Sequence, residues 1–554
     1  MKKHFASILL SSLLVGNLMA QGNDHEFQVS SNLEIFDDIV RELDIFYVDT
    51  LDYKEAIERG ISAMLRGIDP YTEYYPEADM KNLKTMTTGK YAGIGSIIRQ
   101  YKGYDYIYID EPYEGMPAQK AGLKAGDMIL AIDGESMKGR ESQYVSDHLR
   151  GDPGTSLTVA VRHHGQNDSI EYRIDRSIIA MPAVPYYGMV GEYGYILLES
   201  FTENCSRQVL EALVSLKAQG AKGIILDLRS NGGGLLQEAV DIVGLFVPQG
   251  TRVVDIKGRN SRTDNSYSTQ HKPVDTQIPL VVLIDGESAS ASEIVAGSLQ
   301  DLDRAVILGA RSYGKGLVQS TRPLPYNGTI KLTTAKYYIP SGRCIQEIDY
   351  THRNDKGQAQ HIPDSLTSEF HTAAGRPVRD GGGIRPDIEC IPDTIPELVY
   401  ALSQDIVLFN YASDYHAAHP EIAPADEFAI DDSELESFKQ YIAGHDFKFT
   451  SSSSQALKSL RSLAKAEGLE GKALAEFQAL ESKLTYDMEN DLDLFTDDLK
   501  RILAIEIVGR YYYQKGMVVQ GLKGDKFLEE AVKLLSDQNR WRGILKGAPV
   551  DGRQ

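Results

Sequence analysis

Cysteine and tryptophan are scarce: 554 residues include three of the first and one of the second. Cys205, Cys344 and Cys390 lie far apart without the paired spacing of a zinc site, so at most one disulfide can form and none is needed. Positive charge is also short. Lys and Arg number 58 against 79 Asp and Glu, a formal net charge of −21, which argues against nucleic acid or an anionic membrane surface as partner. Beyond the N-terminus no apolar run approaches the ~20 residues needed to span a bilayer. His163-His164 and His416-x-x-His419 have no adjacent carboxylate or cysteine pattern to complete a metal shell and read as surface histidines. No metal or other cofactor is expected.

What is present is an ordinary globular composition, 42% hydrophobic and 25% charged, in a chain long enough for several domains. Residues 1–20 read as a cleavable signal peptide. Lys2 and Lys3 form the basic start, ASILLSSLLVGNL the apolar run and Leu18-Met19-Ala20 the cleavage site. Export is therefore expected, with a soluble mature protein and a periplasmic or similar location. Losing the two lysines takes the charge to −23.

Texture divides the remainder. Over 21–90, Leu33, Phe36, Val40 and Leu43 recur at spacings of three and four, one face of an amphipathic helix, and YKEAIERGISAMLRGI repeats the pattern before a turn at Asp69-Pro70-Tyr71. Over 91–176, short β-rich runs such as YAGIGSIIRQ, YDYIYIDE, DMILAIDG and SLTVAVRHH alternate with turns and two short helical candidates, PAQKAGL and SQYVSDHL. That composition predicts a small, partly open β-barrel-like module. Over 177–395, strand and helix alternate from Tyr193 onward, which implies parallel crossover units and an α/β core. Over 396–554 the strands stop and amphipathic helices follow. Ser451 to Ser454 read as a hinge or flexible loop, and Leu474, Phe477, Leu480 and Leu484 form a stripe expected to be core.

The segment GARSYGKG, 309–316, sits one residue from a phosphate-binding loop G-x-x-x-x-G-K-[ST]. Gly316 stands where the magnesium-binding hydroxyl is required, and GLVQSTRPLP after it reads as a strand rather than a helix. Nucleotide binding is excluded on both counts. Upstream, PLVVLIDGESASASEIVAGSLQD runs an apolar strand through a glycine turn into serines at the mouth of a helix. A serine there stands at the carboxyl end of a parallel strand, beside helix amides that could stabilise an oxyanion. Ser288, Ser290 and Ser292 are all candidates. A serine nucleophile needs a base, and lysine serves when desolvation lowers its pKa from ~10.4 toward ~7–8. Lys315, between glycines and apolar runs and without an adjacent carboxylate, meets that demand; the alternative is a surface lysine in a glycine loop.

SASASEIVAGSLQD and SYGKGLVQ, with ILDLRSNGGGLLQEAVDIVGLFV before them and YYIPSGRCIQ after, resemble the carboxyl-terminal processing peptidases. These are tail-specific serine proteases of family S41 with a Ser–Lys dyad. The resemblance spans about residues 65 to 395 and includes GGGIRPDIE. It implies a multidomain α+β protein: a PDZ domain (91–176) inserted before an α/β, ClpP/crotonase-like protease core (177–395), flanked by an N-terminal helical region (21–90) and a C-terminal helical domain (396–554).

The same resemblance assigns the nucleophile to Ser290, the base to Lys315 and the orientation of the lysine amine to Gln319. Residues four apart in a strand share a face, which would let Lys315 and Gln319 point into one site. The Ala291 amide and that of Gly233 would form the oxyanion hole; Gly232 stands where the family often has proline. In the PDZ domain, Gly93, Ile94 and Gly95 would receive the terminal carboxylate of a chain added to the sheet edge, with Ser96 replacing a common apolar residue. Arg150 would contact the bound peptide or the protease core; the other reading is a turn arginine facing solvent. Expected partners are proteins with accessible apolar C-termini, an activating adaptor, and further copies of the chain held through the helical regions. The alternative function is a non-catalytic periplasmic peptide-binding or scaffold protein on the same fold.

Overall fold

The computed structural model describes residues 2–392, 394–445, 447–484 and 491–547, with side chains from residue 24 onward except at 81. The side chains of the expected signal segment thus lie outside the described residues. The chain divides into two compact units, 1–74 and 75–554.

The first unit is helical, as its apolar spacing predicts. One helix runs Lys2–Phe46 and a second Tyr53–Arg66, whose first turn is capped by Asp52 accepting from the Glu55 amide at 3.0 Å. Leu33, Phe36 and Leu43, on the predicted apolar face, are exposed. Among the described residues no helix is long and apolar enough to cross a membrane.

In the second unit the β-rich module forms as its alternation predicts. Its main sheet places the strand Ser96–Gln100 at one edge, followed by Ile107–Pro112, Met128–Ile132, Ser156–Arg162 and Ile170–Asp175, all antiparallel. Lys90–Gly93 pairs with Ser177–Ala180 and ties the two ends of the module together. The two helical candidates form as Pro117–Ala121 and Ser142–Leu149. Val145 and Leu149 of the second pack into the same apolar cluster as Ile98 of the edge strand.

The α/β core is a six-stranded sheet ordered Tyr186–Val190, Tyr193–Leu197, Ile224–Asp227, Leu280–Ile284, Val306–Gly309, Ile388–Glu389. Every pairing after the first is parallel. A parallel sheet needs both faces covered, which is why these strands read as continuous apolar runs. The helices Cys205–Ala218, Leu236–Gly244 and Ala291–Asp301 bury one face. The other is covered from the far end of the chain by Lys526–Ser536 and Gln538–Leu545. Trp541 donates to the Leu280 carbonyl at 3.2 Å, and Arg229 bridges Asp227 at 2.6 Å and Asp525 at 2.7 Å. A second sheet, Asn265–Ser268, Arg252–Gly258, Thr329–Tyr338 and Leu317–Pro323, stands beside the core.

The helices between 397 and 521 have their own core around Leu402, Phe438, Leu503 and Ile507. The β-rich module seats on them through Tyr101 and Tyr108 against Ile406 and Phe409, with the Tyr101 and Phe409 rings 5.5 Å apart. Two sequence expectations fail in this region. Ser451 to Ser454 are not a loop: Ser451 caps the helix Ser452–Ala466, its hydroxyl 3.1 Å from the Ser454 amide, because serine is as good a helix cap as a loop residue. In the apolar stripe Phe477 is buried, but Leu474 and Leu480 are exposed. Of the histidines, His416 and His419 are exposed as expected, whereas His163 and His164 are half-buried against carboxylates distant in sequence. His163 lies 2.5 Å from the buried Asp127, and His164 joins Asp414 of the helix Ile406–Ala418 at 2.7 Å.

Candidate active site

The strand Leu280–Ile284 delivers the serines to the mouth of the helix Ala291–Asp301, and the turn separates them. Ser288 is buried; its hydroxyl donates to the Leu228 carbonyl at 2.8 Å and accepts from the Asp285 amide at 2.9 Å. Ser292 is buried and donates to the Asn231 carbonyl at 2.8 Å. Ser290 is half-buried, at φ 56° and ψ −111°, a region costing about 1–3 kcal/mol for a residue with a side chain. Such a turn lifts one side chain out of the chain's path and survives only where neighbours over-determine it.

Those neighbours are identifiable. Glu293, fully buried, accepts from the Ser290 amide at 2.8 Å with Oε2. The same oxygen accepts from the Lys315 amide at 2.9 Å, while Oε1 accepts from the Gly314 amide at 2.7 Å and the Ser312 hydroxyl at 2.6 Å. The amides of Ser290 and Lys315 are therefore less than about 6 Å apart, the limit of two hydrogen bonds laid end to end. From the other side, the Tyr337 hydroxyl sits between the Ser290 carbonyl, at 3.1 Å, and the Lys315 carbonyl. Burial pushes the Glu293 carboxyl up to about 7, against the pull of its donors, led by the Ser312 hydroxyl.

The glycines around Lys315 serve close packing. A Cβ on Gly314 would stand 2.5 Å from that of Glu347, and one on Gly316 2.7 Å from the Gln346 amide nitrogen. Lys315 itself is half-buried and lies in the loop before the strand Leu317–Pro323. That placement removes the same-face argument for Gln319, because the strand does not reach back to Lys315. A β-bulge between Val318 and Gln319 shifts the alternation further. The Gln319 amide nitrogen donates to Thr333 Oγ1 at 3.2 Å.

The glycine loop lies against the serine. A Cβ on Gly233, at φ +97°, would meet the Ala289 oxygen at 2.7 Å, Ser290 Cβ at 2.8 Å and the Ala291 amide at 2.9 Å. Asn231 anchors this loop: its side chain donates to the Leu198 carbonyl at 2.7 Å, and its own carbonyl accepts from the Ala289 amide at 3.0 Å. Its Oδ1 also accepts from the Gly233 amide at 2.9 Å, so that amide is engaged in this state. Among the described residues the Ala291 amide has no hydrogen-bond partner.

In the β-rich module, Gly95 is at φ +74° and packs on Met116. The Ile94 and Gly95 carbonyls accept from the amides of Ala118 at 2.8 Å and Tyr113 at 3.0 Å. Among the described residues their own amides have no partner, at the start of an edge strand. Arg150 donates to Asn82 at 3.1 Å and lies 5.2 Å over the Tyr91 ring. It lines a cleft of about 900 Å³ with Lys84, Asp147 and Glu203.

Comparison with known proteins decides the family. Peptidase family S41 matches residues 192–352, a PDZ domain 108–163, and the C-terminal helical domain of a probable PDZ-protease 398–535. The carboxy-terminal-processing protease of Bartonella bacilliformis is 35% identical over 350 residues, 62% of this chain and 80% of its own. The chain belongs to the S41 carboxyl-terminal-processing proteases. A second member, from Picosynechococcus, is 36% identical over 285 residues, covering 50% of this chain and 68% of its own. The solved structure of a photosystem II D1 C-terminal processing protease aligns with 64% of this chain and 87% of its own, at 27% identity and a TM-score of 0.36. As an S41 protease the chain is a serine peptidase, with its PDZ domain ahead of the protease domain and a helical domain after it.

Sequence reasoning left out two residues of this S41 site, Glu293 and Tyr337. Glu293 had a readable signal, the capping box Ser290-x-x-Glu293. Tyr337 had none, since it arrives from the second sheet.

Proposed function

We propose that the protein is an exported serine endopeptidase that captures an accessible apolar C-terminus in its PDZ domain and cuts the tethered chain with a Ser290–Lys315 dyad. The carrying observation is that Ser290, alone among the three candidate serines, does not donate its hydroxyl to a buried backbone carbonyl, while its main chain is tied to that of Lys315 through Glu293. Neutral Lys315 takes the Ser290 proton as Oγ attacks the scissile carbonyl. It passes that proton to the leaving amine, then activates the water that releases the acyl-enzyme. Gln319 orients the lysine amine through the side-chain oxygen that its bond to Thr333 leaves available. The developing oxyanion is received by the Ala291 amide and, once Asn231 releases it, by that of Gly233.

The unpartnered amides of Ile94 and Gly95, beside Gly93, supply the carboxylate-binding loop, and the free edge of Ser96–Gln100 accepts the tail as an added strand. Tethering raises the local concentration of substrate, so modest tail affinity suffices. Arg150 reads the state of the cleft between the PDZ domain and the helix Met80–Thr88. The exposed apolar face of the N-terminal helix supports self-association through the helical regions. The test is cleavage of an unfolded protein bearing an apolar C-terminal tail. Wild type is expected to cut it, with activity lost in Ser290→Ala and Lys315→Ala and reduced when the tail carboxylate is amidated. Equal cleavage by wild type and Ser290→Ala overturns the reading in favour of a binding protein.

A further inference from the structure

Glu293 accepts four hydrogen bonds, and only one of them belongs to the helix it begins. Capping the helix Ala291–Asp301 requires the bond from the Ser290 amide. The other three, from Ser312, Gly314 and Lys315, come from a loop about twenty residues on and add nothing to the cap. An ionised carboxylate is an acceptor with about four lone-pair sites, which matches the four donors. The buried side chain thus joins at their reactive residues two segments that are otherwise linked through main chain further back, where the Tyr313 amide donates to the Ser288 carbonyl at 3.0 Å, and through Tyr337.

We propose that Glu293 is a positioning residue for the dyad, its carboxylate fixing the Ser290 elbow to the Lys315 loop so that hydroxyl and amine meet in one geometry. This rests on the dyad reading above. Tyr337 completes the arrangement, bridging the carbonyls of the two residues whose amides Glu293 joins, so that each is held at both ends of its peptide frame. The strain at Ser290 calls for such a partner, because a positive φ with a side chain persists only where the surroundings leave no alternative. Retaining a carboxyl where burial pushes it up to about 7 is costly, and a helix cap alone does not require it. An amide in its place offers one accepting atom where two are needed, and turns a donor toward two amides or toward an amide and a hydroxyl.

The experiment compares Glu293→Gln, Glu293→Asp, Ser290→Ala and wild type on a peptide with an apolar tail, with rates of Ser290 labelling by a fluorophosphonate and thermal melting of each variant. Glu293→Gln is expected to lose at least about thirtyfold in kcat with KM within threefold, and to label more slowly by a similar factor. Glu293→Asp, which keeps the charge but withdraws it by one methylene, is expected to fall between Gln and wild type, at least fivefold below the latter. A purely structural role predicts lowered melting with kcat per folded molecule unchanged. That result, or wild-type kcat in Glu293→Asp, overturns the proposal while leaving the dyad intact. If Glu293→Gln does not fold, the Asp variant decides alone. Activity retained in Ser290→Ala removes the dyad reading itself, and this proposal with it.

Discussion

Replacing Gly233 by alanine, beside Gly232→Ala as its control, isolates the contribution of the glycine loop. At Gly233 the added methyl stands 2.7 to 2.9 Å from three atoms of the serine turn, where ordinary contact begins near 3.4 Å. The loop must therefore withdraw from Ala291 by roughly half an ångström, besides carrying about 1–2 kcal/mol for an alanine at φ +97°. At Gly232 nothing lies within 4 Å of the same methyl. Losing one oxyanion donor costs about 10²–10³ in kcat in enzymes of this chemistry. Gly233→Ala should fall in that range with KM little changed, and Gly232→Ala should stay within threefold of wild type. The assay is steady-state kinetics on a tail-bearing peptide, with thermal melts to confirm folding. Two folded variants of equal kcat would refute the assignment of this loop to the oxyanion.

Gly95→Ala places a methyl 2.6 Å from Met116 Cβ at a positive φ, so tail capture should weaken. Its KM should rise for a free-carboxylate tail and not for an amidated one; an equal rise for both contradicts the carboxylate-loop reading. Glu293 gives stability a defined pH dependence. Its folded pKa, about 7, is raised above the ordinary 4.5, so its contribution is fully present below 4.5 and is lost as pH rises through 7, roughly 3 kcal/mol in all. The melting temperature of wild type relative to Glu293→Gln should therefore fall between pH 5 and 8, and a constant difference would show that the carboxyl titrates normally. Phe409→Ala removes a ring 2% exposed, packed on Tyr101, at an expected cost of about 3–5 kcal/mol. Its first melting transition should drop, and an unchanged melt contradicts this seat for the PDZ domain.

Much of the fold was legible because burial leaves a periodic trace. The parallel core read as apolar runs alternating with helices, and the strand after Lys315 as β-branched residues and a proline. The serine-bearing turn is legible as chemistry, but local sequence does not choose among Ser288, Ser290 and Ser292. Packing separates them physically, since Ser288 and Ser292 spend their hydroxyls on backbone carbonyls of the 228–231 segment. What stayed hidden depends on residues remote in sequence. The bulge beside Gln319 undoes a same-face argument that assumes a regular strand. The partners of His163 and His164 lie 36 and 250 residues away, so neither carboxylate shows as a local pattern. The helices Lys526–Ser536 and Gln538–Leu545 look like the rest of the C-terminal region, yet they cover the protease sheet, a choice no amphipathic pattern specifies.

The most direct test of the dyad is mass spectrometry of the protein after reaction with a serine-directed fluorophosphonate, in wild type and in Lys315→Ala. The predicted result is a single adduct on the peptide carrying Ser290 in wild type and labelling at least a hundredfold slower in Lys315→Ala, both proteins melting alike. An adduct on Ser288 or Ser292, or a Ser290 adduct formed at the same rate without Lys315, would contradict it.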